Sequence, residues 1–218
     1  MARSRLAEGA LSEAVARGVR QYVLLGAGLD TFAHRNPHLA EGLRVFEVDH
    51  PATQEWKRQL ISNARLQSPA SLVYVPVNLE RESLAERLAA NGFHAQEPAF
   101  FSWLGVTMYL GREVIHETLR FVAQSKVSSG IVFDYLMQPR RWDLLRRWGM
   151  RRLMRQVAAA GEPWQTFIEP APLHADLRRL GFATVRDLGS EEINARLFEN
   201  AGARLRVGGS GHVVLARI

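Results

Sequence analysis

Apolar residues in this chain gather into short runs separated by longer stretches of mixed character. Residues 22–25, 43–48, 72–77, 99–104 and 130–135 each have the length and the β-branched or aromatic content of a strand buried on both faces. Between them, residues 51–64, 82–91 (closed by Gly92) and 112–125 carry helical patterning with Gly and Pro as punctuation. Strand and helix in alternation predict an α/β fold, a doubly wound parallel sheet with helices on both faces. After Tyr135 the pattern changes. Residues 138–160 are Arg-rich, with Trp142, Leu145, Gly149 and Leu153 at helical spacing, and a Pro-bearing loop follows through Pro172. We read one domain over 1–218 with a helical, lid-like insertion at about 138–172. An amphipathic helix packed on the domain, a membrane-surface helix and a basic partner site all fit the same stripe. A helix over 173–180, a strand over 184–188 and a last strand over 212–218 complete the pattern, the final two strands pairing as a hairpin-like edge. The chain has no internal repeat, which excludes a solenoid.

Composition narrows the class. A chain of 218 residues, 47% hydrophobic, suits one globular enzyme domain. It contains no cysteine, so disulfides, thiolate metal sites and thiol nucleophiles are excluded together. No apolar run approaches membrane-spanning length and the first twenty residues lack a signal-peptide hydrophobic block, so a soluble, cytoplasmic protein is expected. The net charge is +6, carried almost wholly by arginine, since Lys57 and Lys126 are the only lysines. Charge without a motif does not specify nucleic acid, and no nucleic-acid partner is expected. The seven histidines show no HExxH-like spacing, so no metal site is assigned. G-x-S-x-G and G-x-x-x-x-G-K-[ST] are both absent, against an α/β-hydrolase and a P-loop NTPase.

The densest chemistry is at QYVLLGAGLDT, residues 21–31. A buried strand stops at Gly26 and Gly28, where the absence of a Cβ permits positive φ and close approach of a ligand. Either an ordinary strand-to-helix turn or a nucleotide-cofactor loop fits those glycines. A third glycine at the dinucleotide spacing is missing, because Thr31 stands there. Asp30 would repel a pyrophosphate and suits a cofactor bearing an ammonium, such as S-adenosylmethionine (SAM). In a doubly wound sheet ligands sit at the carboxyl ends of the strands. The second strand ends in Glu47 and Asp49, and an acid there can accept hydrogen bonds from both hydroxyls of a ribose, or else serve as a loop carboxylate or helix cap. The third ends at Asn78-Leu79, where Asn78 suits either an adenine amino group or a helix N-cap. The fourth, AFFSWLGVTMYL, ends in Trp103, Leu104, Gly105 and Tyr109, a set fit for the wall of an apolar pocket; Phe100 and Phe101 read as core.

In order along the chain, GAGLDT (26–31), FEVDHP (46–51), VNLE (77–80) and FSWLGVTMYL (101–110) resemble the SAM-dependent methyltransferases of the leucine carboxyl methyltransferase-like family, its bacterial, actinobacterial-type members in particular. The resemblance covers residues 2–135. It implies a Rossmann-like sheet of seven strands, the last antiparallel, with SAM over the carboxyl ends of the first strands. By that resemblance Gly26 and Gly28 belong to the cofactor loop with Asp30 beside them, Asp49 is the ribose-binding acid, and Asn78 and Leu79 contact adenine. Arg3, in the family's Ala-Arg pair before the first strand, would hold the methionine carboxylate, to which a guanidinium is geometrically matched. Three features depart from the family pattern: Asn78 stands where Asp is usual, Leu104 where many members carry Glu, and the N-terminal helical region is shorter.

The expected activity is methyl transfer from SAM to an oxygen acceptor, a carboxylate or hydroxyl on a small molecule or peptide. Tyr109, Asp134 and His174 are the candidate bases and none is nominated as catalytic. A nicotinamide-dependent oxidoreductase and a SAM-binding module without turnover are the alternatives, the first favoured by the paired glycines, the second by Leu104 and the short N-terminus.

Overall fold

A computed structural model describes residues 2–138, 149, 154–157, 163–198 and 206–218. Its centre is a seven-stranded sheet in the order β3-β2-β1-β4-β5-β7-β6. The strands are β1 (Gln21–Leu25), β2 (Arg44–Asp49), β3 (Leu72–Pro76), β4 (Ala99–Trp103), β5 (Gly130–Leu136), β6 (Thr184–Leu188) and β7 (Gly211–Arg217). β1 to β5 pair in parallel, whereas β7 runs antiparallel to both of its neighbours. The expected doubly wound sheet with its last strand antiparallel is therefore present. All five residues of β1 and of β4 are buried, as continuous apolar runs in the middle of a parallel sheet require.

The hairpin-like edge expected at the C-terminus takes another form. β6 and β7 do pair antiparallel, but β7 inserts between β5 and β6 and leaves β6 at the edge, with a helix in the connection. Burial explains the order: β7 buries Val213, Val214 and Ala216, whereas β6 alternates exposed and half-buried residues up to Leu188. A strand with two apolar faces belongs inside the sheet.

Six helices of the described residues flank this sheet: α1 (Ala2–Ala16), α2 (Pro51–Asn63), α3 (Leu84–Ala90), α4 (Arg112–Ala123), α5 (Pro170–Leu180) and α6 (Ser190–Phe198). α4 buries Ile115, Thr118, Leu119 and Val122, a single stripe at helical spacing. α2 starts with Pro51 at its first turn, capped by the His50 ring. α5 begins three residues before the expected 173, again with proline in its first turn, and stops at Gly181 with φ +105°. Pro170 to Pro172, expected in the insertion, thus belong to α5. One core cluster joins α3, α4 and α5 to one face of the sheet, and a second joins α1, the short 3-10 turn Phe32–Arg35 and α6 to the other. Most of the Arg-rich insertion, including Trp142, Leu145 and Leu153, lies outside the described residues. Its end, residues 163–169, has no regular secondary structure and is hydrogen-bonded to the turn after β4 and to the end of β5: the Gln165 amide donates to the Met108 carbonyl and the Ile168 amide to that of Leu136.

Candidate functional site

The carboxyl ends of β1, β2 and β3 open on a cavity of about 450 Å³. Gly26, Asp49, Asn78 and Leu79 line it, together with Val106, Tyr109 and Leu110 beyond β4 and with Pro163 and Gln165 from the distant segment 163–169. Five residues singled out in the sequence, Tyr109 among them, thus meet at one place. Another cavity, of about 370 Å³, lies between α4, α5 and residues 166–169, away from the glycine loop.

The loop after β1 is fixed by β2. The amides of Gly26 and Ala27 both donate to the Val48 carbonyl, at 2.8 and 3.1 Å. The Gly28 amide donates to one oxygen of Asp49, and the other oxygen accepts the His50 amide at 2.7 Å. Each carboxylate oxygen carries a further lone pair, so Asp49 retains acceptor capacity toward the cavity. Gly26 and Gly28 have φ of +66° and +48°. The two differ in surroundings: a Cβ on Gly26 would lie 2.3 Å from Val106 Cγ2, whereas one on Gly28 would meet nothing within 4 Å among the described residues. Crowding at Gly26 therefore comes from the protein itself, across the loop.

Asp30 faces its own turn. Its carboxylate accepts the Phe32 amide at 2.6 Å and its carbonyl accepts from Lys57 Nζ at 2.5 Å. Asn78 is a local cap, its side-chain oxygen taking the Glu80 amide at 3.0 Å while its own amide donates to Glu82. Leu79 packs on the core cluster below the cavity.

Arg3 is brought to the tips of β4 and β5, not to the cavity lining. Its Nη1 donates to Asp134 at 2.7 Å, and the other oxygen of Asp134 accepts the Gly105 amide at 2.6 Å. Gly105, at φ +77°, lies against the guanidinium so closely that a Cβ there would come within 2.9 Å of Arg3 Nη2. Asp134 is buried, and the half-exposed Arg3 side chain is aimed by it. Leu104 packs against the cluster on the α1 face, and Trp103 is wholly buried core. Tyr109 is half-buried at the cavity.

Residues that the sequence pattern did not single out complete the region. Val106, Pro163 and Gln165 carry no local signal, because chain segments far apart in sequence bring them together. Glu47, expected with Asp49 at the tip of β2, is wholly buried and forms an ion pair at 2.7 Å with Lys57, a residue without a sequence signal. Burial pushes the Glu47 carboxyl above its ordinary range, against the pull of the Lys57 hydrogen bond. His174 sits elsewhere, with Tyr135 and His212 around Asp187 near the outer strands. Among the described residues no group of three or more His, Cys, Asp or Glu is placed to hold a metal ion, and no helix is long and apolar enough to cross a membrane.

Comparison with known proteins gives this geometry a context. The profile of the family described as Leucine carboxyl methyltransferase matches residues 1–123. A Bacillus subtilis protein, provisionally named the S-adenosyl-L-methionine-dependent methyltransferase YktD, is 33% identical over 201 residues, 92% of this chain and 66% of that protein. A Streptomyces coelicolor protein with the same provisional activity in its name is 36% identical over 126 residues, 58% of this chain and 44% of its own. The chain therefore spans between two-fifths and two-thirds of these relatives' lengths. Among solved structures, a DUF574-family protein from Streptomyces avermitilis superposes with a TM-score of 0.63 at 15% identity, covering 99% of this chain and 80% of that one. Human N-acetylserotonin methyltransferase, solved with SAM, gives 0.58 at 14% identity over 98% of this chain and 50% of its own. At such identities the likeness is one of fold.

Proposed function

The chain belongs to the leucine carboxyl methyltransferase family, and from that premise we propose that it binds SAM in the cavity above β1 to β3 and transfers the methyl group to an oxygen acceptor, a carboxylate first. The observation that carries the reading is the convergence of Gly26, Asp49, Asn78 and Leu79 on one cavity. An adenosine fits this lining: an acid able to accept from ribose hydroxyls, an amide-bearing side chain and an apolar wall. Asp49 already holds the Gly28 amide, so one carboxylate would fix both the loop and the ribose. Arg3, aimed by Asp134, would take the methionine carboxylate. Bound SAM supplies an activated methyl on a sulfonium, so the protein's work is alignment and exclusion of water.

A carboxylate acceptor needs no base, which agrees with a cavity lining that offers Tyr109 and His50 but no buried His-carboxylate pair. The family's name points the same way. The oxidoreductase alternative is disfavoured by topology, since dinucleotide folds built from two matched halves run 3-2-1-4-5-6, and here an antiparallel β7 intervenes.

Calorimetry with S-adenosylhomocysteine tests the cofactor site. Asp49→Ala removes a charged acceptor and should weaken binding by about ten- to a hundredfold; unchanged affinity would overturn the ribose placement. Acceptor chemistry is read by transferring a labelled methyl and treating the product with mild alkali. A carboxyl methyl ester releases its label as methanol, whereas a label that survives alkali would overturn the carboxylate reading.

A further inference from the structure

We propose that Lys57 and Glu47 are positioning residues for the cofactor loop, an ionic strut that sets the far end of Gly26–Asp30 and so the affinity for SAM. The inference rests on the SAM reading above and adds to it two residues outside the cavity.

α2 is an unusual helix. Its two buried residues are Gln54 and Lys57, both polar, while Trp56 and Leu60 are exposed. Those polar residues, one turn apart, reach the same strand residue: Gln54 Nε2 donates to the Glu47 carbonyl at 2.9 Å, and Lys57 Nζ to Glu47 Oε2 at 2.7 Å. Glu47 is 0% exposed and its second oxygen, Oε1, has no partner among the described residues. A buried ion pair with an unsatisfied oxygen is an inefficient way to stabilise a strand, because desolvation offsets the attraction. Val45, two residues earlier on the same face of β2, is buried with an apolar side chain.

What the pair provides is a fixed ammonium with a donor to spare. That donor goes to the Asp30 carbonyl at 2.5 Å. Three consecutive residues of β2 then hold the whole loop. Val48 grips its start through the Gly26 and Ala27 amides, Asp49 its middle through the Gly28 amide, and Glu47 its end through Lys57. Without the last anchor, Asp30 keeps its amide bond to the Ala27 carbonyl at 2.8 Å and its own cap on Phe32, itself buried against Tyr22, but loses its tie to β2.

The test is made on the full chain with S-adenosylhomocysteine, well below the melting temperature. Lys57→Met alone leaves Glu47 charged and buried, so the informative variant is the double Lys57→Met, Glu47→Gln, which removes both charges. We expect it to melt cooperatively, to bind S-adenosylhomocysteine about tenfold or more weakly, and to show faster amide hydrogen exchange over residues 28–32. Lys57→Arg should recover part of the affinity. Leu177→Ala, a core truncation in α5, lowers stability without touching the loop and should leave affinity unchanged. Wild-type affinity and wild-type loop exchange in the double variant would overturn the proposal, as would an equal loss of affinity in Leu177→Ala. If the native chain itself ignores S-adenosylhomocysteine, the cofactor reading falls, and the exchange measurement alone still decides whether the strut holds the loop.

Discussion

At the scale of single residues, the two loop glycines look equivalent in the sequence and are not. Both have positive φ, which costs a side-chain-bearing residue about 1–2 kcal/mol. Only Gly26 also faces a packed neighbour, Val106, and an alanine there would have to displace it at an overpacking cost of about 1–3 kcal/mol. Gly26→Ala should therefore destabilise by roughly 2–5 kcal/mol and Gly28→Ala by about 1–2, on the same strain and packing terms. Chemical denaturation of the two variants checks the order, and equal losses would refute the Val106 account. The reason this distinction was not legible is physical: Val106 reaches the loop from β4's far end, and no local pattern announces a contact between strands. Asp49 was legible because its position at a strand tip is itself the signal. Asn78 was legible as two things at once, and its cap on Glu80 is compatible with the adenine role.

At the scale of elements, the first five strands were readable because each is a short, mostly apolar run rich in β-branched or aromatic residues, whereas the order of the last two depended on which could be buried on both faces. Their pairing also creates a polar cluster that no spacing rule finds. Asp187 on β6 accepts from Tyr135 of β5 at 2.6 Å, from His174 of α5 at 2.7 Å and from His212 of β7 at 2.8 Å. Burial by itself would raise the Asp187 carboxyl; the hydrogen bonds from His212, Tyr135 and His174 outweigh it and hold the group below its ordinary 3.8. A carboxyl depressed in the folded state stabilises the fold above its unfolded value, and that contribution is lost as pH falls through the lower folded value. Asp187→Asn should thus cost about 1–3 kcal/mol at pH 7, the penalty for weakening hydrogen bonds to a buried charge. The gap between variant and native chain should narrow below about pH 4. A gap constant from pH 7 to pH 3 would show that the carboxylate's charge contributes nothing.

At the scale of the whole molecule, the site is a property of topology. β1, β2 and β3 present their carboxyl ends side by side because they pair in parallel, and the glycine loop, the Asp49 carboxylate and the apolar wall arrive together for that reason. Composition and the order of four motifs suffice to anticipate this, while Pro163 and Gln165 close the cavity from a segment whose place along the sheet only the folded chain reveals. A ligand held by residues from several core strands would be thermodynamically linked to the fold. A ligand at a hundred times its dissociation constant stabilises the native state by about 2.7 kcal/mol. For a chain of this size that corresponds to a rise in Tm of roughly 5–11 °C. We expect S-adenosylhomocysteine to produce a shift of that order in the native chain. Asp49→Ala, at the same ligand concentration, should show about half of it for a tenfold loss of affinity and about a seventh for a hundredfold loss. A shift equally large in the variant would mean that the ligand stabilises the fold from somewhere other than the cavity at the ends of β1 to β3.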